Sequence, residues 1–238
     1  LNDYRYIYEE TYKIIAPNWT STEFEIIREE LEQIIDPITG ETLESLFPDV
    51  TLVPRSQEEQ TCFNTVLSNE IILSDGTVLN TNNIKGNLVR FINRNDPIIS
   101  HRYSILVKQF LQSSEAANFY RTLLQFSQTE NLFSQIQPGF FEGNISTVEN
   151  EDTLVIGFFD VASVTERRLY FNYDDFFPGE PLPPYFNNAN CERSFSPPLD
   201  SNTNPPPVCE GPYLVTQRIC GDCTALGSNV VPEFWTEE

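Results

Sequence analysis

Apolar and polar residues alternate along the first stretch of the chain, LNDYRYIYEETYKIIAPNWT. Tyr4, Tyr6 and Tyr8 fall on one face of a strand, with Arg5 and Ile7 on the other. Tyr12, Ile14 and Ala16 continue the stripe until Pro17 breaks it. An aromatic stripe of this kind belongs in a core or on a sheet face rather than on a ligand platform. No complete sheet is built from this segment alone, so the chain is expected to enter its fold part-way.

The pattern then changes. In TEFEIIREELEQIID, apolar residues at Phe24, Ile27, Leu31, Ile34 and Ile35 recur three and four apart. That spacing predicts a peripheral amphipathic helix over about 22–35, capped by Ser21 or Thr22. DPITGE predicts a turn. β character returns in TCFNTVL, in IILSDGTVL as a hairpin turning at Asp75-Gly76, and around Leu88–Ile92 before Pro97.

The stretch 100–173 organises the rest. RYSILVKQF has Tyr103, Ile105 and Val107 on one face and Leu106 and Phe110 on the other, which predicts a central strand. Ser113 or Ser114 caps a helix running to about Gln128, with Ala116, Phe119, Leu123 and Phe126 as its buried stripe. Three strands are expected over Phe140–Val148, Thr153–Ala162 and Thr165–Tyr173, the middle one inside the sheet. Residues 174–238 are rich in proline and predict extended connections with one short strand in CEGPYLVTQRIC. The expected fold is mainly β (α+β): an antiparallel β-sheet or sandwich with a packed core helix (about 114–128), a peripheral helix (about 22–35) and a disulfide-stapled tail. It is read as a single β-rich domain over 1–238, with an acidic insertion at 21–60 and a Cys- and Pro-rich tail at 174–238.

Charge narrows the partners. With 14 Lys+Arg against 35 Asp+Glu the net charge is −21, a field that repels nucleic-acid phosphates and anionic headgroups. The first sixty residues alone hold 14 acids and four bases. Lys85, Arg90, Arg94, Arg102, Lys108 and Arg121 form a local basic region, either an anion-docking face or, the preferred reading, ion-pair partners of the acidic insertion. No apolar run approaches the roughly 18 residues of a membrane span. The chain contains no Met and starts at Leu1, as expected of a processed or truncated piece.

Five cysteines occur, Cys62, Cys191, Cys209, Cys220 and Cys223, four of them within the tail. Cys220-Gly-Asp-Cys223 admits a redox site, half of a four-Cys zinc site with Cys191 and Cys209, or structural disulfides in which each cysteine pairs outward. The last is preferred, because no βαβ pattern or second knuckle accompanies the motif. Cys62 is the odd one, buried or paired with the tail. His101 is the one histidine, without a nucleophile signature beside it. Asp174-Asp175 and Glu151-Asp152 are paired carboxylates of the kind chance supplies at this composition. No phosphate-binding glycine motif is present. No catalytic residue, cofactor or metal ligand is assigned.

Several segments in order carry a resemblance: YRYIYEETYKIIAP, TCFNT at Thr61, RYSILVKQF, FYRTLL, FSQIQPGFFEGNIS, TLVIGFFDVASVTERRLYF and CGDCTALGSNVVPEFW. Together they resemble the lipoprotein family called domain of unknown function 4249, found in Bacteroidota. The resemblance covers nearly the whole chain apart from 21–60. It implies a lipid-anchored outer-membrane protein at the cell surface, usually encoded beside a TonB-dependent receptor, with an N-terminal immunoglobulin-like domain and the lipidated cysteine outside this chain. The family usually has Trp after the cysteine corresponding to Cys62; Phe63 stands here. In such bacteria Asp152-Thr153-Leu154 fits a short O-glycosylation pattern at Thr153, and the sequons at Asn18 and Asn144 would then be irrelevant. The expected function is non-enzymatic, as accessory or ligand-capture partner of a TonB-dependent transporter or other barrel protein. The alternatives are a structural subunit of a larger outer-membrane assembly and an extracytoplasmic hydrolase.

Overall fold

The computed structural model describes residues 3–28, 33–44, 49–74, 86–128, 143–148, 155, 157–183, 191, 194–195, 214–215 and 217–237. The opening alternation forms strand β1, Asp3–Ile15, with Tyr6, Tyr8, Tyr12 and Ile14 buried. It pairs with β6 (Thr61–Leu67), β7 (Ile72–Leu73) and β8 (Tyr103–Gln112), and β8 pairs in turn with β9 (Ser163–Phe171). β8 therefore lies inside the sheet, as its two apolar faces predicted. The β8–β9 ladder is antiparallel from Tyr103↔Phe171 to Leu111↔Ser163. Two serines extend the pairing along β1. Ser68 and Ser74 donate their N–H groups to the carbonyls of Tyr8 and Tyr4, and their hydroxyls accept from the N–H groups of the same two tyrosines.

Helix α1, Ser114–Gln128, follows β8 directly. Ser113 caps it, its Oγ accepting from the Ala116 N–H at 3.1 Å and its carbonyl from Ala117. The predicted stripe holds at Ala116, which is buried beside Ala117, and at Phe119, which stacks on Phe158 at 4.9 Å. It fades by Phe126, which is exposed.

The predicted helix over 22–35 is absent. β2 (Thr22–Arg28) and β5 (Asp49–Pro54) form one antiparallel ladder, and β3 (Gln33–Ile35) and β4 (Thr42–Glu44) form another nearer the turn. The described parts of the segment thus form two antiparallel ladders. The turn between β3 and β4 is built by Asp36, whose carboxylate accepts from the Ile38 N–H at 2.7 Å, and by Gly40, whose φ of +71° favours glycine. The three-and-four spacing was real but secondary. Glu23-Phe24-Glu25-Ile26 also alternates with period two, and VTLV supplies a strand partner that a lone helix pattern ignores.

Three further expectations need correction. Residues 86–93 form no strand. Within Phe140–Val148 and Thr153–Ala162, the described residues 143–148 and 157–162 are not in a ladder either. The second of these segments is not sheet interior, because Phe159 and Val161 are exposed. It is held instead by Asn144, whose side chain accepts from the Phe159 N–H and donates to its carbonyl. Phe140, Phe141 and Thr153 lie outside the described residues, as do Asp75-Gly76. The fold class stands: mostly antiparallel β, with α1, the single-turn helix α2 (Arg218–Gly221) and two disulfides.

The chain divides into two compact units. The first contains residues 1–11, 65–93 and 103–171, and the second residues 12–64, 94–102 and 172–238. In the first, buried Glu10 accepts from Tyr103 Oη at 2.6 Å and from Arg90 Nε at 3.0 Å. Burial and then the bond to Glu10 push the Tyr103 hydroxyl well above its ordinary pKa. The Arg5 guanidinium lies between the rings of Phe110 and Tyr120, at 4.7 and 4.6 Å.

Candidate functional site

The second unit contains a cavity of about 310 Å³. Its first wall comes from the end of β1. Because Tyr12 and Ile14 face inward, Lys13 and Ile15 face the other way. The Lys13 N–H donates to the Arg102 carbonyl at 3.1 Å, which sets residues 100–102 beside it. A short 3-10 turn, Pro97–Ile99, leads into that segment. Asp96 caps the turn, and the Ser100 N–H closes on Pro97. The Ser100 hydroxyl donates to the Pro183 carbonyl.

A second 3-10 turn, Tyr173–Asp175, contributes further to the lining. Asp175 accepts from the Asn172 N–H at 2.6 Å and is spent as a cap, whereas Asp174 lines the cavity. The rim is closed by Glu237. Its carboxylate accepts from Lys13 Nζ at 3.0 and 3.1 Å and from Trp235 Nε1 at 3.1 Å. Partial burial alone would raise the Glu237 pKa; the hydrogen bonds from Lys13 and Trp235, with the fields of Lys13 and Arg102, outweigh it and hold the group low. His101 lies in the same wall. Its pKa is depressed, first by burial and then by the charge of Lys13, so the imidazole is neutral near pH 7.

Two disulfides lock this unit, Cys62–Cys223 and Cys191–Cys220. The cysteines of the C-x-x-C motif thus pair outward, and Cys62 is joined to the tail. Cys62, Cys220 and Cys223 are fully buried. Backbone bonds run alongside: the Cys223 N–H donates to Glu59, the Asn18 N–H to Cys220, and Phe63 and Ser228 exchange a pair. Gly227 is required there, since a Cβ would stand 2.6 Å from the Phe63 carbonyl oxygen. Phe63 packs edge-on against Trp235 with centroids 4.8 Å apart. Cys209 lies outside the described residues.

Four of the six bases of the basic region pair with carboxylates outside the acidic insertion. Arg90 pairs with Glu10, Lys108 with Glu166 and Arg121 with Asp3 in the first unit, and Arg94 with Glu180 in the second. Lys85 lies outside the described residues, as do Glu151-Asp152. Within the insertion, Arg55 bridges Glu23 and Glu59 at 3.4 and 2.6 Å. Among the described residues no group of three or more His, Cys, Asp or Glu is arranged around a common metal position. The residues that build the cavity wall, Lys13, Asn172, Asp174 and Glu237, come from three distant stretches of the sequence. Their only signal was the period-two pattern of β1, which turns Lys13 away from the core.

A second feature is the segment of the two ladders itself. Ile27, Ile35, Ile38 and Leu52 are each more than 60% exposed. Phe24 and Leu52 are cross-strand partners, whereas Glu23 and Glu25, opposite Val53 and Thr51, fall on the other face.

The family model named domain of unknown function (DUF4249) matches residues 2–168. The match runs through the acidic segment and stops before the Cys-rich tail. No curated protein and no solved structure matches the chain.

Proposed function

The chain belongs to the DUF4249 family, and from that premise we propose that it is a non-enzymatic, surface-exposed outer-membrane lipoprotein of Bacteroidota. It serves as accessory or ligand-capture partner of a TonB-dependent transporter and is anchored by a lipid outside this chain. The observation that carries this reading is the pair of strand ladders within 21–55. The segment presents Ile27, Ile35, Ile38 and Leu52 to solvent. Exposed apolar side chains grouped in one segment mark a surface for a protein partner. Between residues 21 and 60 only Arg28 and Arg55 oppose eleven carboxylates. The partner surface is therefore an apolar groove with a basic rim.

Two further observations support the reading. Two disulfides, one of them fully buried, suit an oxidising compartment outside the cytoplasm. Glu237, the carboxylate at the cavity rim, is held low, the reverse of the raised carboxyl that a hydrolase's general acid needs.

The test is co-purification after gentle solubilisation of outer membranes, with wild type and an Ile27→Asp/Leu52→Asp variant. Recovery of a barrel protein with the wild type, and its loss with the variant, is expected. Recovery of the protein alone in both sinks the proposal. A stoichiometric complex that lacks any transport barrel points instead to a structural subunit of a larger assembly.

A further inference from the structure

The cavity of the second unit carries a ligand class that the docking reading does not supply. Two cations border it, Lys13 and Arg102, in a chain whose net charge is −21. Arg102 is buried, and its guanidinium donates to Thr236 Oγ1 at 3.2 Å. A carboxylate already sits there. Glu237 takes two hydrogen bonds from Lys13 Nζ and one from Trp235 Nε1. Both Lys13 and Arg102 act on it electrostatically. The charge of Lys13 is felt beside it as well, where it adds to burial in lowering the pKa of His101. The neutral imidazole, the Asn172 amide and the Ser100 segment supply polar contacts without adding positive charge of their own.

Glu237 is a weakly held occupant. Its side chain is 59% exposed, against 19% for Lys13. An exposed ion pair of this kind shifts an equilibrium by about fivefold or less. A free carboxylate of the right size displaces it at little cost, and the cavity volume of about 310 Å³ is at the small end of ligand sites. Asp174 also lines the cavity and sets a limit. It repels a second negative group placed close to it, so the ligand's anionic end belongs at Lys13.

We propose that this cavity binds a small organic carboxylate through Lys13 and Arg102, and that Glu237 is a built-in competitor that occupies the anion position when the ligand is absent. The inference goes beyond the docking reading and stands without it, because it concerns the isolated chain alone.

The experiment is a titration of the full ¹⁵N-labelled chain with sodium butyrate, a monocarboxylate, at constant ionic strength. The readout is the indole N–H resonance of Trp235, which loses its Glu237 acceptor on displacement; Trp19→Phe assigns it, since the chain has two Trp. A saturable shift is expected in the wild type. Glu237→Gln should bind about three- to fivefold more tightly. Lys13→Gln should bind at least about tenfold more weakly, and Lys13→Arg should restore binding, since either cation presents donors to a carboxylate. Lys13 and Glu237 both keep solvent contact, and an unchanged amide spectrum away from the cavity verifies that each variant is folded. The proposal is overturned by no saturable shift in both wild type and Glu237→Gln. Undiminished binding by Lys13→Gln, or no gain for Glu237→Gln, overturns it equally.

Discussion

Removing the Cys62–Cys223 bridge, with both cysteines replaced by alanine, should cost more stability than any other paired substitution in the second unit. The two cysteines are 161 residues apart, so the bridge closes a very long loop in the unfolded chain. Loop-closure entropy for that length corresponds to about 5 kcal/mol, whereas the 29-residue separation of Cys191–Cys220 corresponds to about 3.6 kcal/mol. The second bridge lies inside the first loop and shortens its path to 161 − 29 = 132 residues. Because the dependence is logarithmic, the larger figure stays at about 5 kcal/mol. Packing adds in the same direction. Cys62 and Cys223 are both fully buried, while Cys191 is partly exposed, so alanine leaves the larger void at the first pair.

The assay is urea unfolding followed by tryptophan fluorescence, with wild type, Cys62→Ala/Cys223→Ala and Cys191→Ala/Cys220→Ala side by side. Cys209 is kept in all three. Measured losses commonly fall below the entropic figure, at about 2–4 kcal/mol, so the ranking carries the prediction. The first variant should lose at least about 1 kcal/mol more than the second, with a steeper denaturant slope because its unfolded chain is less constrained. Equal losses, or a first loss below about 1 kcal/mol, refute the reasoning from loop length and burial.

In the first unit, Glu10→Gln should destabilise the protein by about 3 kcal/mol, since it leaves Arg90 without its counter-charge beside a buried tyrosine; urea midpoints measure it, and Glu166→Gln, from the exposed Lys108 pair, should change them by less than about 1 kcal/mol. Ser113→Ala should remove the cap of α1 at a cost of about 1 kcal/mol, and Ser113→Asp should recover most of it; circular dichroism during unfolding reads both. His101 gives a pH dependence. Its folded pKa lies below the unfolded value of about 6.5, so the unfolded chain binds the proton more readily and stability falls as pH drops below that value. The His101 contribution is complete above about pH 6.5 and is lost as pH falls through the lower folded pKa. Urea midpoints at pH 7.5 and pH 5.5 should therefore differ more for wild type than for His101→Gln, and parallel behaviour of the two refutes the assignment.

Legibility followed the range of the interactions involved. β1, β6, β8 and α1 were readable because their signals are local: alternation in YRYIY, two apolar faces in YSILV, and Ser113 ahead of an apolar stripe. The outward pairing of Cys220 and Cys223 was readable from motif context, but the choice of Cys62 and Cys191 as partners depends on contacts 161 and 29 residues away. The cavity was not readable. Lys13, His101, Asp174 and Glu237 are scattered along the chain and share no pattern, and each reads alone as an ordinary surface charge or a lone histidine. The basic region was misread for the same reason. Its acidic partners, Asp3, Glu10, Glu166 and Glu180, lie outside the insertion whose charge seemed to call for them.

The misread segment 22–35 carries the strongest consequence. As a helix, Phe24, Ile27, Leu31 and Ile34 would share one face, and that face would pack inward and leave nothing to explain. In the structure Phe24 and Ile27 lie on a strand instead, and among the described residues no strand of the β2–β5 or β3–β4 ladders joins the main sheet. An isolated two-stranded ladder is marginal in water. Asp36, Gly40 and the Arg55 bridge to Glu23 and Glu59 stabilise the segment, yet Ile27, Ile35, Ile38 and Leu52 remain exposed. Under the function proposed above, a partner would cover these side chains. This gives Ile27→Asp/Leu52→Asp a second readout. If the segment serves docking, the variant should leave the urea midpoint of the isolated chain within about 0.5 kcal/mol of wild type, as surface substitutions do. A loss of about 3 kcal/mol or more, the scale of a core substitution, would instead make the segment part of this chain's own core and remove the argument for a partner.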